Sequence, residues 1–302
     1  MCSQNGGRGL KKHRGIASHR GSGRLLLLKL ILLVTVLFLL VPIVMIAYYS
    51  FFSPGEIKAY LLLLGNLPLD SWISILLIPK AASLNQYLVI LLRNQEILYR
   101  FFLSLFYAVT ILLGQAVFIP SLAYALSAYR FRGRDAIFLS LILLMLLPFQ
   151  ITMVPNMLML RALNLLDTVW AVILPMWFAP LYVFLIRQYM LTIPSEFYEA
   201  SQLDGAGACS CYLYITLPIC KPMIGTVITL SFVDTWNMVE QPLVFLSHQE
   251  SLQPLSVIFS QLIPNPVGTE FASATLYMLP ALFVYLFFQD DIDSAIQLVD
   301  MK

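Results

Sequence analysis

Six apolar runs, each long enough to cross a lipid bilayer as a helix, constrain this sequence more than any other feature. A hydrocarbon core about 30 Å thick takes about 20 apolar residues rising 1.5 Å each. The runs occupy residues 30–49, 101–126, 136–160, 168–189, 223–246 and 271–288. In lipid every backbone N–H and C=O must find its partner inside the segment, so runs of this length are helices. A barrel would need short alternating strands instead. The composition agrees, with 60% apolar and 11% charged residues and a mean hydropathy of +0.83. Soluble domains carry about a quarter charged residues. The expected fold is all-α and polytopic, with about six transmembrane helices in contact with membrane lipid.

A net charge of +2 says little, whereas the placement of charge says more. Arg8, Lys11, Lys12, Arg14, Arg20, Arg24 and Lys29 crowd the first 29 residues, which hold no Asp or Glu. A nucleic-acid arm, a secretory signal and a cytoplasmic anchor for a first membrane helix compete to explain them. The apolar run that follows is too long for the core of a cleaved signal and no small-residue cleavage site follows it. Nothing downstream resembles a soluble nucleic-acid module, so the anchor is preferred and no nucleic-acid partner is expected. Residues 1–29 then form a basic cytoplasmic tail, and residues 30–302 one membrane domain.

Charge also tests the span count. With the tail inside and six spans, Arg130, Arg132 and Arg134 fall in a short cytoplasmic turn, as the positive-inside rule requires. The loop at residues 248–270 falls outside and holds no Lys or Arg. Residues 59–79 are apolar enough to mimic a span, but Gly65, Asn66, Pro68 and Asp70 interrupt them. Counting them would move the three arginines outside. Residues 54–100 are therefore read as an external excursion with short helices, and both termini as cytoplasmic. Cys209, Cys211 and Cys220 then lie where thiols stay reduced. The one-residue gap between the first two does not suit a zinc site, and His13, His19 and His248 are far off in sequence. No metal site is expected.

The segment at residues 193–218 lies between two spans on the cytoplasmic side. Ser195 suits a helix start, with Glu196 and Glu199 at the positive end of the dipole. Gly205 suits the left-handed turn that ends a helix. A second helix is expected over about 208–217, with Pro218 opening the segment that re-enters the membrane. Ala200 and Ser201 are small enough to let another protein approach. Two short helices joined at a glycine make a projection suited to docking, although composition alone favours a plain interfacial hairpin that merely links two spans.

Glu199-Ala200-Ser201, three residues, Gly205, nine residues, then Ile215, Leu217 and Pro218 resemble the EAA motif of ABC importer permeases. Every spacing fits, and the one change is Ser201 in place of the second alanine. The stretches YALSAYRFRGRD, LLPFQITMVPNMLMLRALNLLDT and DTWNMVEQPLVFL extend the resemblance from about Thr35 to the end. They are similar to the carbohydrate-type, maltose-permease-like branch. Leu103, where that branch often has Asn, and the tail DDIDSAIQLVDMK depart from it. The resemblance implies the type I importer permease fold and a coupling loop at about residues 191–221, with Glu199, Ala200, Ser201, Asp204 and Gly205 at its core. It also implies a second permease subunit, two cytoplasmic ATPase subunits that hold ATP and Mg, an extracellular solute-binding protein, and a bacterial plasma membrane. No cofactor is expected on this chain.

Charges in the bilayer centre cost on the order of 2.5–3.5 kcal/mol on insertion scales, so they usually face a cavity. The fifth run holds Asp234, Trp236, Asn237, Glu240 and Gln241, followed by Pro242. In one continuous helix Asp234, Asn237 and Gln241 would form a stripe, a candidate lining for a translocation path. Trp236 would offer an aromatic plate to a sugar ring. The competing reading is mutual pairing or packing against a partner, and Gln150, Thr152 and Asn156 in the third run invite the same choice. The sequence has no Gly-Lys pair, and so no nucleotide-cradling G-x-x-x-x-G-K-[ST]. It also lacks H-E-x-x-H and G-x-S-x-G. A pore-forming subunit fits better than an enzyme. The rivals are a secondary, ion-coupled transporter using Asp234 and Glu240, and an intramembrane enzyme or assembly factor.

Overall fold

Prolines and buried backbone groups decide where the apolar runs stay straight and where they bend. The structure is a computed structural model and describes residues 19–66, 82–93, 95–260 and 269–300, among which no strand occurs. Four helical stretches are long and apolar enough to cross a membrane unaided: Leu26–Tyr49, Gln95–Ala128, Val169–Met190 and Glu270–Ile296. Two bent pairs raise the number to six if each is one span. Of the expected basic tail, residues 1–18 lie outside the described residues, and α1 (His19–Tyr49) is already helical from His19.

The expected external excursion begins with α2 (Pro54–Asn66), whose 13 residues are too short to cross. Residues 67–81 lie outside the described set. α3 (Asn85–Leu88) and a π turn (Val89–Arg93) lead into α4 (Gln95–Ala128). α4 starts six residues before the expected 101 and, at 34 residues, is about 51 Å long, well beyond the hydrocarbon thickness.

The third run does not form the single helix expected over 136–160. It divides into α5 (Arg134–Leu146) and α6 (Phe149–Ala162), bent by 109°. Leu147 must be extended because the Pro148 ring clashes with a helical residue before it, and its ψ is 129°. The fourth run breaks less sharply between α7 (Val169–Met176) and α8 (Pro180–Met190), where Ala179 precedes Pro180 and is extended (ψ 98°). After α9 (Ser195–Leu203) the chain continues as α10 (Ala208–Cys211), a π turn (Tyr212–Thr216) and α11 (Leu217–Ile219).

The fifth run also departs from expectation. α12 (Lys221–Trp236) ends ten residues short of 246, and Glu240–Phe245 forms a separate α13. A continuous helix would bring the Pro242 ring against the carbonyl four residues earlier and lose that hydrogen bond. The chain breaks before the proline instead. The re-entry also starts at Lys221-Pro222, not at Pro218, because α11 and α12 meet at a 74° bend. α14 (Leu255–Ser260) and the long α15 (Glu270–Asp300) complete the described chain.

α4 is the central element, packed against α7, α8 and α12, while α15 lies along α12 and α5 along α8. The largest core cluster joins Ile119, Ala123 and Tyr124 of α4 to Tyr182, Val183, Ile186 and Met190 of α8 and Met223 and Val227 of α12. α1 stands apart: among the described residues none of its most apolar window is buried, and its last turn packs on the body through Met45, Tyr49 and Phe271. Fully buried Gln86 fixes that corner. Its Nε2 donates to the Tyr49 and Phe52 carbonyls at 3.0 and 2.8 Å, and its Oε1 accepts from the Ala272 N–H at 3.3 Å. One amide thus ties the backbone just past the end of α1 to a free N–H in the first turn of α15.

Candidate functional site

The hairpin of α9, α10 and α11 is held in shape by one glycine and one buried serine. Gly205 sits at φ +78°, which only glycine adopts without strain. The Ala206 N–H donates to the Ser201 carbonyl at 2.9 Å and the Asp204 N–H to the Ala200 carbonyl at 3.1 Å. The first of these is the six-to-one bond that closes a helix on a left-handed glycine. Ser201 is only 5% exposed. Its hydroxyl lies 2.8 Å from the Tyr198 carbonyl and 3.5 Å from Cys211 Sγ. It therefore faces the interior of the hairpin, not outward as its small size suggested. Its departure from alanine supplies a bond across the hairpin that alanine could not make.

Glu199, Ala200, Asp204 and Gly205 are exposed, as is Pro218, while Ile215 and Leu217 are half-buried. Around them lie Phe197 (51% exposed), Leu203 (89%) and Tyr214 (78%). Apolar side chains so open on a polar hairpin mark an interaction surface. The other side rests on the body, where Tyr198, Tyr212 and Ile219 pack against the largest core cluster. Burial pushes the Tyr198 phenol above its ordinary value, so it stays neutral at physiological pH.

The second set of residues surrounds the end of α12. Asp234, Asn237 and Glu240 are all exposed on this chain, which lipid would penalise. Tyr182 of α8 donates to Asp234 Oδ2 at 2.5 Å. Asn237 Nδ2 donates to the Val233 carbonyl at 2.9 Å, and its Oδ1 lies 3.3 Å from Tyr277 Oη. Gln150 of α6 donates to both Glu240 carboxylate oxygens at 3.1 Å. The sharp α5–α6 bend thus begins a helix whose first turn meets the fifth run.

Two expectations change here. The stripe through Asp234, Asn237 and Gln241 is broken, because Gln241 belongs to α13. It is half-buried, and its enclosed Oε1 has no hydrogen-bond partner. Trp236 is 1% exposed and offers no face to a solute. It lies between Phe232 and Tyr277, with Phe101 at its edge, and its Nε1 donates to the Tyr277 carbonyl at 3.0 Å. A ring this large gains more from burial against three aromatic neighbours than from exposure beside them. Thr152 bonds its own helix at the Phe149 carbonyl, 2.9 Å away. Tyr182 carried no sequence signal beyond being a tyrosine in an apolar run.

A polar node inside the bundle lies near this set. Gln115 of α4, 4% exposed, donates to the Met176 carbonyl at the α7–α8 break at 2.6 Å and accepts from Ser231 of α12. Trp177 Nε1 donates to the Thr110 carbonyl at 3.1 Å. The Gln115 bond satisfies the Met176 carbonyl, whose helical partner four residues on would be the N–H that Pro180 lacks.

The sequence profile described as "Binding-protein-dependent transport system inner membrane component" matches residues 98–297. The arabinooligosaccharides transport system permease protein AraQ of Bacillus subtilis (strain 168) is 30% identical over 216 residues, covering 70% of this chain and 76% of that protein. The sn-glycerol-3-phosphate transport system permease protein UgpE of Yersinia pestis bv. Antiqua (strain Antiqua) is 29% identical over 171 residues, 55% of this chain and 61% of that protein. A chain from the crystal structure of a bacterial ABC transporter involved in the import of the acidic polysaccharide alginate shares the fold. Its TM-score is 0.73 at 24% identity, over 92% of this chain and 99% of that one.

Proposed function

The chain belongs to the family of binding-protein-dependent transport system inner membrane components, and from that premise we propose that it is a pore-forming permease subunit of an ATP-driven importer of a sugar or oligosaccharide. The hairpin at Ser195–Leu203 and Ala208–Ile219 is the proposed docking element for an ATPase subunit, with Glu199, Ala200, Asp204 and Gly205 on the contact surface. The single observation that carries this reading is the open apolar and acidic face of that hairpin beside a rigid root in the core. Phe197, Leu203 and Tyr214 lie uncovered there among the described residues.

The assembly proposed is two permease subunits, two cytoplasmic ATPase subunits and an extracellular binding protein, in a bacterial plasma membrane with both termini inside. The exposed first helix favours a second permease, since among the described residues none of its most apolar window is buried. Asp234, Asn237, Glu240 and Gln150, with Tyr182 behind them, are proposed to line the path between the two. Oxygen and amide groups of this kind suit sugar hydroxyls. ATP and Mg are assigned to the ATPase subunits, and alternating access follows their closure. No observation on this chain favours ion-coupled transport over ATP.

Co-purification from detergent tests the docking assignment. Glu199→Lys and Gly205→Val are expected to release the ATPase subunits while membrane insertion and permease pairing persist. Retention of the ATPase after removal of residues 195–218 would refute it.

A further inference from the structure

We infer that Tyr212 and Tyr124 form the joint through which the hairpin moves α4, with Ser121 as the positioning partner of Tyr212. This rests on the docking role proposed for the hairpin. Among the described residues, both hydrogen bonds that tie the hairpin to a span end on α4. Tyr212 Oη and Ser121 Oγ lie 3.2 Å apart, and Tyr124 Oη donates to the Ala208 carbonyl at 3.4 Å. The Tyr124 and Tyr212 rings lie against each other, centroids 5.0 Å apart and planes 35° apart.

The direction of the first bond follows from proton count. The Ser121 hydroxyl donates to the Val117 carbonyl at 2.6 Å. Its oxygen must therefore accept, and Tyr212 must donate. The joint is an oriented hydrogen bond beside a ring contact, and both come from the hairpin's middle, not its ends.

From Ser121 the connection continues along one rigid helix. Gln115 lies less than two turns away, bonded to the Met176 carbonyl at the broken fourth span and to Ser231 of α12. Ser231 precedes Asp234 by one turn. A shift of α4 therefore reaches both the fourth-span break and the polar residues of the path. Coupling over such distances travels through contiguous bonded and packed groups, and here each group is named. The joint also explains why the hairpin needs a tyrosine where an amphipathic linker would take any apolar residue.

The test uses the whole complex: this chain, its permease partner and its ATPase subunits in nanodiscs, probed with Mg-ATP and orthovanadate and with no sugar required. A reporter Val233→Cys is placed next to Asp234, in a background with Cys2 and Cys209 replaced by serine, and its maleimide labelling rate is measured with and without nucleotide. The nucleotide-induced change in rate is expected to shrink by about 2- to 10-fold in Tyr212→Phe and in Ser121→Ala, the range one hydrogen bond supports. The double variant should be no worse than either alone. ATPase subunits should still co-purify, a readout that loss of the hairpin's fold would move. Ser121→Ala leaves the hairpin untouched. An undiminished response in that variant overturns the inference whatever Tyr212→Phe does, and so does a parent complex whose reporter ignores nucleotide. Glu199→Lys, scored only by ATPase retention, judges the docking role separately.

Discussion

Gly114 shows how a single missing side chain admits a functional bend. A Cβ placed there would lie 2.1 Å from Trp177 Nε1, so only glycine lets the indole cross α4 and reach the Thr110 carbonyl. Gly114→Ala is expected to displace Trp177 and lower stability by about 2–4 kcal/mol, read as a fall in Tm of the purified protein. Gly205 differs in kind: nothing stands near its Cβ position, and the constraint is its φ of +78° alone. Gly205→Val is therefore expected to cost about 1–2 kcal/mol and Gly205→Asn much less, since asparagine tolerates that conformation. A thermal melt of both variants checks the order. Sequence reading found Gly205 through its spacing from Glu199. It missed Gly114, because nothing in an apolar run announces which glycine faces a tryptophan from another helix. It also placed Trp236 at an open surface, since residue type alone cannot tell a buried aromatic stack from an exposed plate.

Among the elements, the straight spans were legible and the bent ones were not. Length and apolarity placed one end of each of α1, α4 and α15 within two residues, at Tyr49, Ala128 and Glu270, while the helices run 11, 6 and 12 residues past the other expected end. The third and fifth runs broke at Pro148 and ahead of Pro242, positions the sequence displays. Prolines also lie inside α1, α4 and α15 at Pro42, Pro120 and Pro280 without ending them. What decides is whether neighbours can satisfy the freed backbone groups in a straight or a bent form, and that depends on packing. Gln86 is the clearest case of an element-level clamp that only the folded chain shows. Gln86→Leu would leave the Phe52 carbonyl and the Ala272 N–H buried without their side-chain partner and take from the Tyr49 carbonyl one of its two donors. It is expected to lower stability by about 2–4 kcal/mol and to raise the protease sensitivity of the link between α1 and α2. Limited proteolysis in detergent measures the second effect.

For the whole molecule, the permease family was reached from sequence through the resemblance of residues 199–218 to the EAA motif, in a hairpin that the expected spans and the basic start place on the cytoplasmic side. The residues proposed to connect the hairpin to a translocation path lie on separate helices and met only in the fold. The central claim is that the hairpin projects into the cytoplasm to engage an ATPase. Cys209 is exposed on it, while Cys211 and Cys220 are buried, so one native thiol reports on one surface. In a Cys2→Ser background, a membrane-impermeant maleimide should leave Cys209 unmodified in intact cells. It should label it in permeabilised cells, more slowly when the ATPase subunits are co-expressed. Modification of Cys209 in intact cells would put the hairpin outside and contradict the docking role.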